Sequence, residues 1–302
     1  MNPQFIADGL VAGAMIGLGA IGVTLTYSIL RFSNFAHGEF ISWGAYATLL
    51  TAGLIGYLAP SSNEGYGPFS VGWGVLVAGL IAMVLTGLLA VLLDRLLFRR
   101  LRRKGASITV VMASFGASMA LRALLEFLFT SSPRYFSRDL QIAVPVVPGI
   151  RVTPDQMALL GMTVTLALAV HLILTQTHMG RSMRAVSENP ALARVLGIDI
   201  DHVIHITWLL GGALACASGV MLGLVVQIRP YMGFDMLLPL FASAILGGIG
   251  SVPGAIIGAL VVGVSEAATV QLIGAEWRAA VAFLLLIAVL LIRPSGLFGK
   301  RV

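Results

Sequence analysis

Two stretches of this sequence decide which solvent the chain is built for. Leu10 to Leu30 runs 21 residues without a charge, and Phe283 to Ile292 is apolar at every position. Similar runs recur along the chain, continuous instead of striped at a period of 3.6 or 2 residues. A helix needs about 20 mostly apolar residues to cross a hydrocarbon core, so runs of this kind point to a bilayer. Only 11% of the residues are charged, less than half the share of roughly a quarter found in soluble domains. A transmembrane β-barrel would need segments of about 10 residues with alternating polarity, and Val75 to Leu93 shows no alternation. The expected fold is an all-α polytopic membrane protein, one transmembrane domain over residues 1–302.

Measured against a bilayer, the sequence predicts spans near 9–30, 37–59, 71–93, 107–129, 156–176, 205–227 and 279–293. The stretch 237–273 is too long for one ordinary span and is interrupted by Gly247, Gly248, Gly250, Pro253 and Gly254. It predicts a broken or re-entrant element: a short segment, a turn near Ser251, then a longer helix. The total is about eight spans. Residues 1–8 hold no basic residue and the apolar run after them exceeds the h-region of a usual signal peptide, so a retained first helix is expected.

Several chemistries are excluded by what the residues lack. The two lysines, Lys104 and Lys300, are followed by Gly105 and Arg301, whereas a phosphate-binding P-loop needs Lys followed by Ser or Thr. The single cysteine, Cys216, permits no intrachain disulfide. His171, His178, His202 and His205 fall outside metal-ligand spacings. The net charge of +6 sits between apolar runs, where it sets membrane orientation and indicates lipid, not nucleic acid, as the partner.

The orientation signal is concentrated. Arg95, Arg99, Arg100, Arg102, Arg103 and Lys104, opposed only by Asp94, form a short basic loop that the positive-inside rule places in the cytoplasm. Successive crossings then put 60–70 and 130–155 outside and 177–204 inside, with Arg293, Lys300 and Arg301 delivered to the cytoplasm at the end. Arg134, Arg138 and Arg151 run against this trend; with Pro133, Pro145, Pro148 and Pro154 they predict an extended or interfacial outer loop.

Residues 177–204 are long for a link between membrane helices. Asn189 is placed to cap a helix starting at Pro190, Gly197 to end it, and Arg181 with Met183 to Val186 predict another helical turn before it. Ala185, Val186, Leu192, Val195 and Leu196 give this unit apolar faces that it cannot bury alone. It is expected to dock a cytoplasmic subunit; an amphipathic element lying on its own domain is the alternative. Arg184, Glu188, Asn189, Pro190, Ala191, Arg194 and Gly197 are its candidate contact residues. Glu188, Ala191, Ala193 and Gly197 resemble the coupling loop of ABC importer permeases, departing from its stricter Glu-Ala-Ala form.

The resemblance becomes specific in the first half. Asn34-Phe35-Ala36-His37-Gly38-Glu39-Phe40, preceded by Gly22-Val23-Thr24-Leu25-Thr26-Tyr27, is similar to the LivH-type permeases of branched-chain amino acid ABC importers. Ala244 to Ala255 and Arg293 to Gly299 extend the similarity in the same order. The resemblance implies a bacterial inner-membrane permease subunit, without chemistry of its own, that forms half of a translocation pathway. It further implies a LivM-type second permease, two cytoplasmic ATPase subunits that bind ATP and Mg, and a periplasmic or lipid-linked solute-binding protein. This chain is expected to hold no cofactor.

Asn34, His37 and Glu39 are costly against lipid, a charged residue at the bilayer centre costing roughly 2.5–3.5 kcal/mol on insertion scales. They must face protein or water. With Gly38, Gly247, Gly248 and Gly250 they are the candidate substrate pathway, on the reading that a broken helix exposes N–H groups to an anionic carboxylate. The alternative for His37 and Glu39 is support of the fold. The glycine-rich break is expected near the membrane midplane, opposite Asn34–Glu39. Arg122 and Glu126, spaced i,i+4, are expected to satisfy one another, Glu266 to find an arginine, and Asp235 to lie at a helix start. A secondary transporter or channel for a small polar solute is the rival function, and an intramembrane enzyme using His37 and Glu39 a more distant one.

Overall fold

The computed structural model describes residues 3–65, 67–104, 107–137, 141–293 and 295–299, and the side chains of Asn63, Arg103 and Lys104 are outside that description. Arg138, Gly105, Pro294, Lys300 and Arg301, which entered the sequence reading, also lie outside the described residues. Among the described residues, eight helices are long and apolar enough to cross a membrane.

α1 (Gln4–Leu30) is the most enclosed of them. It leads to α2 (His37–Leu58), α3 (Trp73–Leu93), α4 (Arg99–Lys104) and α5 (Ser107–Phe129). After a two-stranded antiparallel hairpin (β1, Val144–Val147; β2, Ile150–Val152) follow α6 (Pro154–Gln176) and the short helices α7 (His178–Glu188) and α8 (Pro190–Val195). The chain closes with α9 (Ile200–Val225), α10 (Met232–Gly247), α11 (Val252–Leu272) and α12 (Arg278–Ile292).

Lipid tails are as apolar as leucine, so the helices associate by close packing and polar contacts. α1 therefore meets α11 through small residues: a Cβ added at Gly263 would stand 2.4 Å from the Gly13 nitrogen. α3, α5, α6 and α12 turn large apolar side chains outward, among them Leu80, Phe127, Val164 and Leu291, which is the face lipid or another membrane subunit covers.

One expectation about the connections is corrected. The basic stretch after α3 is helical, not a loop: a π-helical turn, Asp94–Phe98, carries α3 into α4, so arginines extend the helix beyond its apolar part. Asp94 is buried and lies 2.6 Å from Arg102, and Phe98 stacks on Trp208 of α9 at 5.4 Å. Each removes one costly group from solvent or lipid, which is why the extension stays packed. The outer segment is extended as expected, and its backbone joins the α9–α10 link, Arg134 and Ile228 exchanging hydrogen bonds of 2.9 and 2.8 Å.

The two ends of α1 identify the two ends of the bundle. Gln4 donates to the Arg151 carbonyl in the hairpin at 2.9 Å and accepts from its N–H at 2.8 Å. At the other end, Arg31 donates to the Ser187 carbonyl at 2.9 Å and the Glu188 carbonyl at 3.3 Å. The hairpin and the 177–204 segment thus occupy opposite ends, as the charge pattern requires.

Candidate functional site

α2 starts inside the bundle, not at its edge. Phe35 N–H donates to Ser114 Oγ at 3.1 Å, and Ser118 and Arg122, one and two turns farther along α5, both reach Glu39. Asn34 accepts the Ala36 N–H on its Oδ1 at 3.1 Å, tightening the turn into the helix. Ser114 of α5 thus supplies a partner for backbone that a chain interrupted in a membrane would leave unsatisfied, while Ser118 and Arg122 hold the Glu39 carboxylate.

Glu39 is fully buried. Its Oε1 accepts from Arg122 at 2.7 and 3.2 Å and from Ser118 at 2.9 Å, while Oε2 has no partner. Arg122 therefore pairs with Glu39 on another helix and not with Glu126, correcting the i,i+4 expectation. Burial decides this: an enclosed carboxylate without a cation is far costlier than an unpaired carboxylate of greater exposure. The Arg122 guanidinium also lies 4.0 Å from the ring centre of Phe234 and 5.2 Å from that of Tyr231. One side chain consequently joins α2, α5 and α10.

His37 is buried, with its ring against Gly22 and 6.2 Å, edge to face, from Phe40. Neither ring nitrogen makes a hydrogen bond of good geometry, although the Gly19 backbone is within reach of the ring, and the Asn34 Nδ2 amide is unpartnered. Buried polar atoms are nearly always satisfied; among the described residues two groups of such orphans stand out, one in Asn34–Glu39 and one in Asp94–Arg102. Gly38 permits the approach of α10: a Cβ there would stand 2.5 Å from the Gly233 carbonyl oxygen. Ser42 Oγ completes the contact, donating to the Pro230 carbonyl and accepting from Gly233 N–H, both at 3.0 Å.

The glycine-rich break takes the expected form, short helix, turn and long helix, and meets α1 within one turn of Gly22, against which His37 lies, nearer the end of that helix than its middle. Gly250 N–H donates to Thr24 Oγ1 at 3.2 Å, and a Cβ added at Gly250 would stand 3.7 Å from Ser28 Cβ. Both belong to the last two turns of α1, so the turn lies toward the end that bears α7 and α8, not at mid-helix. α10 itself separates the candidate pathway residues. Gly38 packs at Gly233, whereas Gly247, at the other end of α10, is about 20 Å farther along the axis at 1.5 Å per residue. Gly247 is accounted for by packing on Gly254 of α11; Gly248 and Gly250, at φ +96° and +91°, form the turn. Ser251 caps α11 by accepting Gly254 N–H at 3.1 Å.

The carbonyls freed where α10 ends do not face a cavity. Leu246 and Gly247 accept from Leu297 and Phe298 N–H at 2.8 and 3.1 Å, so the C-terminal segment caps the break. Gly296 allows this, having φ +74° and standing against Gly248 and the Ile245 carbonyl. Sequence reasoning identified this tail only as part of a family motif. Glu266 finds its arginine, Arg278 at 2.6 Å, and Asp235 lies in the first turn of α10.

In the 177–204 segment the cap is as expected: Asn189 Oδ1 accepts from Leu192 N–H at 3.1 Å, with Pro190 as the first helical residue. Gly197, at φ +81°, ends α8, and Ile198 N–H returns to the Ala193 carbonyl at 3.0 Å. Met183, Val186 and Ala193 are buried with Ile29 of α1 and Val203 of α9. Arg184 turns back to the Leu174 carbonyl at the end of α6, so it holds the segment in place. The other face is turned outward: Glu188, Ala191, Arg194 and Gly197 are exposed, as are Leu192, Leu196 and Val195, the last at 83%.

Residues 5–290 match the family described as branched-chain amino acid transport system / permease component. The high-affinity branched-chain amino acid transport system permease protein LivH of Escherichia coli is 31% identical, covering 98% of this chain and 95% of its own. The corresponding permease protein BraD of Pseudomonas aeruginosa is 30% identical over the same shares. A probable LivH of Methanocaldococcus jannaschii is 25% identical over 99% and 93%. An all-α, multi-pass fold with an interrupted α1–α2 link and a polar, partly unsatisfied helix start agrees with that match along nearly the whole sequence. The chain belongs to the family of permease components of branched-chain amino acid transport systems.

Proposed function

We propose that this chain is one half of the membrane pathway of an ATP-driven importer of branched-chain amino acids or related small solutes. It sits in a bacterial inner membrane, with the 177–204 end in the cytoplasm. A second permease subunit completes the pathway, two cytoplasmic ATPases supply the energy, and a solute-binding protein delivers substrate from the other side. The chain itself performs no bond chemistry.

The observation that carries the reading is the division of labour on α7 and α8. One face is packed on α1 and α9, while Leu192, Val195 and Leu196 project from the other, each more than half exposed. A lever needs both: rigid attachment to the helices it moves, and a surface for the motor. Arg31 strengthens the attachment at the end of α1, the helix that also touches His37 through Gly22 and Gly250 through Thr24. A displacement of α8 is thereby transmitted along α1 to both interruptions. The unpartnered atoms of Asn34, His37 and Glu39 supply polar groups at one of them for a zwitterionic solute.

The test is the double variant Leu192→Asp/Val195→Asp in the assembled complex. Both positions are exposed, so the variant folds and inserts; it is expected to lose co-purifying ATPase and ATP-dependent uptake together. Unchanged ATPase retention and uptake would remove the basis of the proposal.

A further inference from the structure

A cavity of about 370 Å³ lies between α4 and the stretch joining α8 to α9, apart from the Asn34–Glu39 site. Its walls carry both signs of charge. Arg99 and Arg102 enter from α4 and Arg194 from α8, while Asp199 and Asp201 enter from the start of α9. Isoleucines 198, 200 and 204 make the remaining wall apolar.

Several of these groups have bonding capacity left over. Arg99 closes on Asp201 through a terminal nitrogen, leaving its buried Nε without an acceptor. Arg102 is engaged with Asp94 through Nη1 at 2.6 Å, and its side chain stays 20% exposed at the cavity wall. The Arg194 guanidinium is exposed and forms no ion pair among the described residues. On the acidic side, Asp199 uses Oδ1 to cap α9 at the His202 N–H, 3.1 Å away, and its carboxylate is exposed.

A simple anion here would meet two carboxylates, and a simple cation three guanidiniums. A molecule with an oxyanion and an ammonium a few ångströms apart satisfies both sets, because hydrogen bonds to ionised groups are the strong ones. The isoleucine wall suits an apolar chain attached to it. We propose that this cavity binds a small zwitterion: the oxyanion on Arg99, Arg102 and Arg194, and a primary ammonium on Asp199 and Asp201.

Two sources share that chemistry. One is a phosphatidylethanolamine headgroup, which carries a phosphate and a primary ammonium a few ångströms apart, since the apolar part of α3 ends at Leu93, shortly before Arg99. The other is a free α-amino acid at the same end of the bundle. In either case the occupant bridges α4 and α8, tying the arginine-rich extension to the lever. The proposal does not depend on the transport reading, because it concerns binding to the chain itself.

The experiment uses the purified full chain. Native mass spectrometry measures retention of phosphatidylethanolamine and of phosphatidylcholine, which has the same phosphate but no N–H to donate; calorimetry measures leucine binding. Asp199→Asn keeps the helix cap, for which Asn serves as well as Asp, while removing the charge. Arg194→Gln removes an exposed guanidinium that holds nothing in the fold. Phosphatidylethanolamine or leucine is expected to bind, about tenfold more weakly in each variant, the scale of one lost charge-assisted hydrogen bond, with phosphatidylcholine not retained. Retention of the lipid alone assigns the headgroup as the occupant, and leucine binding alone assigns the amino acid. Binding of neither, binding indifferent to both variants, or equal retention of phosphatidylcholine overturns the proposal.

Discussion

Arg122 and Glu39, 83 residues apart in sequence, meet at 2.7 Å between α5 and the first turn of α2. The carboxylate is fully enclosed and the guanidinium nearly so, at 0% and 12% side-chain exposure. Such a pair is weak evidence for stability as a whole, yet breaking one half is expensive. Its position matters more: it fixes the place where α2 begins, and through Phe234 it extends to α10.

Arg122→Ala is therefore expected to destabilise the protein by about 3–5 kcal/mol, because it leaves Glu39 buried without its cation. The double variant Glu39→Gln/Arg122→Gln removes both charges and is expected to lose clearly less. Thermal melts of purified protein in detergent, followed by intrinsic fluorescence, check the order. Equal losses would mean that the charge pairing is irrelevant.

The Gly38–Gly233 crossing leaves no room for a methyl group, since a Cβ at Gly233 would stand 1.8 Å from the Gly38 carbonyl oxygen. Gly233→Ala is expected to lower the yield of folded protein, or to cost at least the roughly 1–3 kcal/mol typical of overpacking. Gly116→Ala is the control, because nothing lies within 4 Å of the added atom. It is expected to behave as the parent in size-exclusion and melting measurements.

The C-terminal segment is expected to detach when Gly296 is replaced. Gly296→Ala places a Cβ 2.5 Å from both the Gly248 nitrogen and the Ile245 oxygen at a φ of +74°. Hydrogen exchange reads this directly: the Leu297 and Phe298 amides, bonded to Leu246 and Gly247, are protected in the parent and exchange faster in the variant. Loss of those bonds leaves two buried carbonyls to find other donors, at about 1–3 kcal/mol for each left unsatisfied.

Asn189→Ala removes the side-chain acceptor at the start of α8 and is expected to cost about 0.5–2 kcal/mol of local stability. Asn189→Asp retains an acceptor and is expected to restore it. Exchange at Leu192, whose N–H the cap holds, is the readout, and identical exchange in both variants would count against the cap.

The spans were legible because each is a long run of residues that only a bilayer accommodates, and the caps at Asn189 and Gly197 because they depend on neighbours in sequence. Arg122–Glu39 was not, since a local partner at Glu126 answers the i,i+4 rule and burial is invisible in the sequence. Gly247–Gly254 announced that a helix stops, but not at what depth; that depends on Thr24 and on a tail more than 40 residues downstream. The basic run after Leu93 reads as a loop because its charges end the apolar stretch, whereas the buried Asp94–Arg102 contact and the Phe98–Trp208 stack keep it helical.

The central claim is that this polypeptide encloses half a pathway and is moved by a separate motor gripping α8. Reconstitution into vesicles tests it most directly, with radiolabelled leucine uptake measured for the chain alone and for the assembly with its second permease, ATPases, loaded binding protein and ATP. Uptake by the full assembly, abolished when ATP is withheld and absent for the chain alone, is the predicted result. Sustained uptake by the purified chain without companions or ATP would contradict it.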